Sequence, residues 1–181
     1  MEGLGERLRQ ESAAFLDVGV GVAAISIEMC RRFPMLRAVG LDPLEPALAE
    51  AKENVASAGL TGRIELRPTG VEALDEGSAF DLANVPIMFL SADVAERGLQ
   101  AVWKALRPGG WVPVQVVAAP GDELVPAMTR LLCALWGGSD PTVPDRVLEM
   151  LDKAGYVDTA ILPSWPGPPA RHVVGRKALT W

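Results

Sequence analysis

The stretch Phe15-Leu-Asp-Val-Gly-Val-Gly-Val-Ala-Ala24 decides the fold of this chain. An apolar run ends in an acid, two glycines follow one residue apart, and a segment compatible with a helix comes next. This order predicts a strand, a tight turn and a helix, which is the first βα unit of a nucleotide-binding α/β fold. Gly19 permits the sharp reversal, and Gly21 lets the backbone come close to a ligand. Ala24 takes the third, helix-packing place of the spacing.

Length and composition limit the classes of protein that fit. The 181 residues suffice for one domain with a proper core, so we expect a single domain over residues 1–181, with an N-terminal helix in residues 1–13. The apolar runs are shorter than a membrane span, and no signal peptide is visible. A net charge of −6 argues against a nucleic-acid partner. The two distant cysteines, Cys30 and Cys133, indicate free thiols in the cytoplasm.

Beyond the opening stretch, strand and helix patterns alternate along the chain. Apolar runs predict strands near residues 14–18, 36–41, 63–67, 80–85, 111–118, 156–162 and 171–175. No helical pattern separates the last two, which are therefore expected to be antiparallel. The predicted fold is α/β, with a doubly wound, mostly parallel seven-stranded sheet, an antiparallel last strand and helices on both faces. In the first long helix, Val22, Ile25, Met29 and Phe33 form the predicted apolar stripe.

Asp42 follows the second predicted strand, 21 residues after Gly21. At that place in a doubly wound sheet, a carboxylate can accept hydrogen bonds from both hydroxyls of a ribose. Asp42 is also suited to begin a helix, as an N-cap with Pro43 at the first position and Glu45 at the third. The two roles are compatible, because one oxygen can cap the helix while the other binds the ligand.

Asp17 bears on the kind of ligand. A dinucleotide places its negative pyrophosphate on the glycine turn, and a carboxylate two residues before Gly19 would repel it. A sulfonium ligand that also carries an ammonium group would be attracted by the same acid. The sequence therefore favours a cationic cofactor over a nicotinamide dinucleotide.

Three motifs at their mutual distances resemble the class I S-adenosylmethionine-dependent methyltransferases. They are Asp17-Val-Gly-Val-Gly21, Gly40-Leu-Asp42 and Leu106-Arg-Pro-Gly-Gly-Trp111, and the resemblance runs from about residue 14 to 176. It implies a seven-stranded sheet with a reversed last strand, S-adenosylmethionine as the cofactor and methyltransferase activity. That ending agrees with the antiparallel pair expected from the order of the elements.

The resemblance implies a set of cofactor-binding residues. Asp17, Gly19 and Gly21 match the loop around the methionine part, and Asp42 matches the acid that binds the ribose. The other matching positions are Pro43 and Leu44 beside the adenine, Thr69, Gly70 and Val71 after the third strand, and Asn84, Val85 and Pro86 after the fourth. Many members have an acid where this chain has Thr69, so Glu72 is the alternative partner for the adenine amino group.

The acceptor is less well defined than the cofactor. Met88 and Phe89 form an apolar patch just after the fourth strand, and Trp165 lies in a proline-rich loop, so these three residues are the candidate acceptor contacts. A small, partly apolar molecule methylated at oxygen or nitrogen fits this patch. We assign no catalytic residue, because the methyl group of a sulfonium is already activated. We expect no metal, because no acid follows the fourth strand before Asp93.

Two other functions stay open at this stage. The chain could be an inactive cofactor-binding partner or regulatory subunit of the same fold, or an NAD(P)-dependent oxidoreductase, which Asp17 disfavours. Only about a dozen residues precede the first predicted strand, where many methyltransferases of small molecules carry a sizeable helical region that covers the acceptor. Either the sequence is the catalytic part of a longer chain, or the cover comes from residues 86–92, 119–142 and 163–170, or a homodimer or another partner supplies it.

Overall fold

The computed structural model describes residues 1–117, 124–135, 138, 143–163 and 170–179. Seven strands form one sheet in the order β3-β2-β1-β4-β5-β7-β6. Neighbouring strands among the first five are parallel, and β7 is antiparallel to both β5 and β6. The predicted fold class is confirmed, including the reversed last strand.

The strands are β1 Ala14–Val18, β2 Arg37–Leu41, β3 Ile64–Arg67, β4 Phe80–Pro86, β5 Leu106–Val117, β6 Val157–Ile161 and β7 Ala170–Arg176. The helices are α1 Leu4–Arg7, α2 Ala24–Arg32, α3 Glu45–Ser57, α4 Ala92–Ala105, α5 Leu124–Leu135 and α6 Pro144–Ala154. The N-terminal helix is thus a single turn, shorter than expected.

Helices cover both faces of the sheet. One apolar cluster joins the strands to α4 and α6, and a second joins them to α1, α2 and α3. Successive residues of β1 alternate between the two, with Phe15 in the second cluster and Leu16 in the first. Every residue of the central strand β4 is buried, as expected for a parallel strand covered on both sides. The carboxyl ends of β1 to β4 therefore meet at one edge, where the sequence predicts the ligand site.

The apolar stripe predicted for α2 is confirmed at Met29 and Phe33, which pack partly buried against the second apolar cluster, and is wrong at Val22 and Ile25. Val22 and Ile25 are 39% and 44% exposed, whereas Ser26, Ile27 and Cys30 form the buried face. Ser26 can face inward because its hydroxyl donates to a buried carboxylate, that of Asp17. A hydrogen-bonded polar residue has thus taken a place that hydrophobic periodicity alone assigns to an apolar one.

At the amino ends of the strands, Asp81 connects the N-terminal segment to β4 by hydrogen bonds. This buried carboxylate accepts hydrogen bonds from Arg7 Nε at 2.7 Å, Arg107 Nη1 at 2.6 Å and the main-chain N–H of Ala14 at 3.0 Å. Arg107 also donates to the carbonyl of Ser12 at 2.8 Å. Two arginines and one amide compensate for the burial of this single negative charge.

We expect Asp81→Ala to lower the free energy of unfolding by about 3 kcal/mol, because the change leaves two partly buried guanidinium groups without their anion. Urea denaturation measures the loss. The matched control is Asp93→Ala, which removes an exposed pair with Arg97 on α4 and should cost less than about 0.5 kcal/mol. Equal losses in the two variants would contradict the role of Asp81.

Candidate cofactor site

The turn after β1 adopts a left-handed backbone conformation at its two glycines. Gly19 and Gly21 have φ angles of +63° and +52°, in the left-handed region that glycine enters without strain. Val20 between them is buried and packs over Gly40, where a Cβ atom would lie 2.6 Å from Val20 Cγ2. The N–H of Val20 donates to the carbonyl of Leu41 at 2.9 Å. The missing side chain at Gly40 thus lets the turn lie directly against β2.

Asp42 connects this turn to the start of α3. Its Oδ2 atom accepts from the N–H of Gly21 and its Oδ1 atom from the N–H of Leu44, both at 2.9 Å. The N-cap role predicted for Asp42 is wrong, because α3 begins at Glu45 with Leu44 as its N-cap. Asp42 instead forms an Asx turn, in which its side chain accepts from the main-chain N–H two residues later, that of Leu44. Each of its oxygens keeps a second lone pair for a further donor.

Asp17 lies beneath the turn and is 2% exposed. Its Oδ2 atom accepts from Ser26 Oγ at 2.7 Å, and its Oδ1 atom accepts from Asn84 Nδ2 at 3.0 Å. Burial raises the pKa of this carboxyl, and the hydrogen bonds from Asn84 and Ser26 counteract part of that rise. Asp17 therefore links β1, α2 and β4.

A cavity of 260 Å³ opens at the carboxyl ends of the strands. Its walls come from the ends of β1 and β2, the segment after β3 and the segment between β4 and α4. The lining residues are Val18, Gly19, Leu41, Pro43, Thr69, Gly70, Val71, Glu72, Phe89, Leu90, Ser91 and Val94. Seven residues predicted from the sequence thus meet in one cavity: Gly19, Pro43, Thr69, Gly70, Val71, Glu72 and Phe89.

Glu72 contributes an acid to this wall. A Cβ atom on Gly70 would lie 2.7 Å from Glu72 Cδ, so the carboxylate group folds back across the glycine. Thr69, at the position where an acid was expected, directs its hydroxyl at the carbonyl of Gly70 at 3.5 Å. The absence of a side chain at Gly70 therefore gives Glu72 access to the cavity.

The other predicted residues lie outside the cavity wall. Asp17, Gly21 and Asp42 lie below and beside the turn. Pro86 reaches the turn from β4, since its Cγ atom would be 3.4 Å from a Cβ on Gly19. Asn84 and Val85 are buried in β4, Leu44 is 60% exposed, and Met88 is half-buried. Trp165 lies outside the described residues.

A family model described as a methyltransferase domain matches residues 15–110, which include the turn, Asp42 and the whole cavity lining. The chain belongs to the S-adenosylmethionine-dependent methyltransferases. The family resemblance identified from the motifs is thereby confirmed, and so is the cofactor class that it implies.

Individual methyltransferases match over different lengths. The ubiquinone/menaquinone biosynthesis C-methyltransferase of Geobacter sulfurreducens is 28% identical over 173 residues, covering 83% of this chain and 67% of that protein. The 3-hydroxy-5-methyl-1-naphthoate 3-O-methyltransferase of Streptomyces sahachiroi is 30% identical over 129 residues, covering 67% and 37%. The structure of the mitomycin 7-O-methyltransferase superimposes with a TM-score of 0.77 at 23% identity, covering 97% and 54%. The chain thus spans between about a third and two thirds of these relatives.

Sequence reasoning missed several contributors to this methyltransferase site. Ser26 satisfies Asp17, while Ser91 and Val94 complete the cavity wall from the start of α4. Only Ser26 left a signal, as a polar residue near the glycine turn. Among the described residues, no group of three metal-binding side chains converges, and no described helix has the length and apolarity to cross a bilayer. The expectation of metal-independent chemistry stays a prediction.

The raised pKa of Asp17 predicts a pH dependence of stability. Between the pKa of an unfolded aspartate, about 3.9, and the higher folded value, the folded state binds more protons, so the wild type loses stability as the pH rises through this window. Asp17→Asn cannot titrate. The free energy of unfolding of the variant, relative to that of the wild type, should therefore rise with pH across the window and then level off.

Urea denaturation of both proteins from about pH 4 to pH 8 measures this difference. The informative quantity is how the difference in unfolding free energy changes with pH. Its absolute size is not informative, because the amide of an asparagine cannot accept from both Ser26 and Asn84 as the carboxylate does. Parallel profiles for the two proteins would show that the pKa of Asp17 is not raised.

Proposed function

We propose that this chain is an enzyme that binds S-adenosylmethionine in the cavity and methylates a small, partly apolar molecule at oxygen or nitrogen by direct in-line transfer. The cavity at the carboxyl ends of β1, β2 and β3 supports this proposal most strongly. Its 260 Å³ is just below the range of whole small-molecule pockets, about 300–1,000 Å³, and so fits the adenosine end of the cofactor.

The chemistry of the walls fits the cofactor. Pro43 offers an exposed apolar surface for a flat base, and the Glu72 carboxylate can accept from an exocyclic amine. The remaining lone pairs of Asp42 can accept from ribose hydroxyls, while its present bonds hold the Gly21 turn in place. In its ionised form, which the hydrogen bonds from Asn84 and Ser26 favour, the buried Asp17 adds negative charge beneath the turn, next to the proposed position of the cationic methionine group.

When bound, S-adenosylmethionine supplies an activated methyl group on a sulfonium, and its sulfur takes the electron pair of the breaking bond. The protein has to align the nucleophile and exclude water, which accounts for much of the rate in such transfers. Pro86 borders the turn, and Met88 and Phe89 follow it with apolar surface on the acceptor side. An acceptor proton can leave to water, so no general base is required.

Apolar surface on the acceptor side agrees with the names of two relatives, one of which methylates a naphthoate while the other is named for ubiquinone and menaquinone biosynthesis. We infer from this surface that the acceptor is partly apolar. We place the reaction in the cytoplasm, because Cys30 and Cys133 are free and buried, as in proteins of a reducing compartment.

Calorimetric titration should give binding of S-adenosylmethionine and of its demethylated product, and no binding of NAD. A donor with a deuterated methyl group, incubated with the protein and a cell extract, should then label a small molecule detectable by mass spectrometry. NAD binding without sulfonium binding would contradict the proposal. Cofactor binding with no labelled product in any extract would favour the inactive partner subunit.

Two variants test the proposed contacts. Asp42→Ala and Glu72→Gln should each weaken cofactor binding by about 1–3 kcal/mol, the cost of losing a hydrogen bond to a charged group. Glu53→Gln, an exposed acid of the same charge on α3, is the control and should bind like the wild type. Unchanged affinity in Asp42→Ala would leave Asp42 as a structural clamp of the glycine turn alone.

A further inference from the structure

Asp81, at the amino ends of the strands, is a single carboxylate between two arginines. It accepts from Arg7 at 2.7 Å and from Arg107 at 2.6 Å, and its third donor, the N–H of Ala14, carries no charge. One negative charge therefore faces two positive charges. The two arginine side chains are only 31% and 30% exposed, so solvent screens the excess positive charge incompletely.

Most N–H groups of these two arginines donate to no residue in the part of the chain that the structure describes. Arg7 donates through Nε alone, and Arg107 donates only through Nη1, to Asp81 and to the carbonyl of Ser12. The unused donors are Nη1 and Nη2 of Arg7 and Nε and Nη2 of Arg107. A guanidinium group presents its donors as a planar fork, which matches two oxygens of a carboxylate or a phosphate.

The two arginines line a pair of adjoining cavities. The smaller cavity, of 280 Å³, is bounded by Arg7, Arg107, Ser12 and Gln10 among others. Arg7 and Gln10 also line a second cavity, of 370 Å³, which extends to Arg176. That larger volume falls within the range of small-molecule pockets, about 300–1,000 Å³. There is therefore room for an organic molecule beside the unused donors.

Arg176, on β7, contributes a buried donor to the wall of the larger cavity. Its Nη2 atom forms an ion pair with Asp158, and its guanidinium carbon lies 5.6 Å from the centre of the Trp111 ring. Its Nε atom is buried and has no hydrogen-bond partner among the described residues. A buried N–H that stays unsatisfied costs stability, and an acceptor atom from a bound ligand would remove this cost.

The acids near these cavities do not neutralise the arginines. Glu2 and Glu6 line the larger cavity, but both are exposed, so solvent and salt screen their charges. Neither forms an ion pair with a described residue. Both oxygens of Asp81 are occupied, and Asp158 is paired with Arg176. The partly buried charge around the cavities is therefore positive, although the whole chain has a net charge of −6.

We propose that Arg7, Arg107 and Arg176 form an arginine site that binds a small organic anion through a phosphate or carboxylate group. The oxyanion accepts from the unused N–H groups of Arg7 and Arg107. The organic body extends through the larger cavity, where Nε of Arg176 donates to it.

The arginine site is separate from the proposed cofactor cavity. Asp81 and Pro86 lie near opposite ends of β4, and five residues of a strand span roughly 16 Å. Pro86 borders the glycine turn, whereas Asp81 holds Arg7 and Arg107. A ligand at the arginine site therefore leaves the cofactor cavity open.

Nuclear magnetic resonance of the isotope-labelled protein tests the site with two probes, inorganic phosphate and succinate. Sodium chloride keeps the ionic strength equal throughout. At least one probe should shift the main-chain signals of Ser12, Ala13 and Gly109 and the Nε signal of Arg7. The shifts should saturate with a dissociation constant of about 1 mM or below. The probe that binds more tightly identifies the anionic group of the ligand.

Three variants that keep the net charge test the arginines. Arg7→Lys retains a cation opposite Asp81 but removes the planar fork, so it should raise the dissociation constant at least about fivefold. Arg176→Lys removes the unpartnered N–H and should raise it about threefold. Arg97→Lys is the matched control, because Arg97 is exposed and pairs with Asp93 on α4, and it should bind like the wild type. Dispersed amide signals verify that each variant is folded.

Four outcomes would each overturn the proposal. They are shifts that saturate with neither probe, shifts centred on Gly19 and Gly21 in place of Ser12, an unchanged affinity in a folded Arg7→Lys or Arg176→Lys variant, and an equal loss in Arg97→Lys. The titrations contain no S-adenosylmethionine, so none of these outcomes bears on whether the chain binds that cofactor.

Discussion

The hydrogen bonds of the Asp42 carboxylate are the constraint on which the ligand site depends. A glycine turn is flexible by composition, and nothing within Gly19-Val-Gly21 fixes its direction. Asp42 holds it from the next strand by accepting from Gly21, while its second oxygen orders the chain that leads into α3. Val20 packs against Gly40 and so limits how far the turn can move toward β2. The turn is therefore positioned by β2, so the spacing between the glycines and the acid is a structural requirement before it is a binding motif.

Asp17, the acid in front of the glycines, has a structural role that its charge alone does not suggest. Asp17 points inward, and the two side chains that donate to it belong to α2 and β4. A buried carboxylate with satisfied partners costs less than an unpaired one, and its network specifies how three elements meet. In the proposed complex, the ionised carboxylate would act on the cofactor across the turn, through a medium of low dielectric constant, and not by contact. The group that joins these three elements is thus also the one that we propose to favour a cationic cofactor.

The sequence predicted the order of elements, the reversed last strand and most of the cavity wall, because these depend on local patterns and on the rule that parallel strands end at one edge. It mispredicted the inner face of α2, where Ser26 replaces Ile25, because periodicity cannot reveal a buried hydrogen-bond partner from another element. It also assigned Asp42 to the wrong helical position. A start at Asp42 and a start at Glu45 look alike in sequence, whereas the structure has α3 begin at Glu45 and uses Asp42 to accept from Gly21 and Leu44. The position of the Glu72 carboxylate in the cavity wall likewise depends on a neighbour, because a side chain at Gly70 would occupy the same space.

The carboxylates at the two ends of the strands differ in role, with a structural one at the amino ends and the candidate ligand-binding ones at the carboxyl ends. At the amino ends of the strands, Asp81 is compensated by two arginines and an amide, an arrangement that leaves little acceptor capacity for a ligand. At the carboxyl ends, Asp42 accepts only main-chain donors and Glu72 borders a cavity, so both can accept further bonds. Carboxylates of one chemical type therefore differ in function according to how many donors the fold already supplies. The acids with unused acceptor capacity lie at the carboxyl ends of the strands, where open α/β sheets bind their ligands.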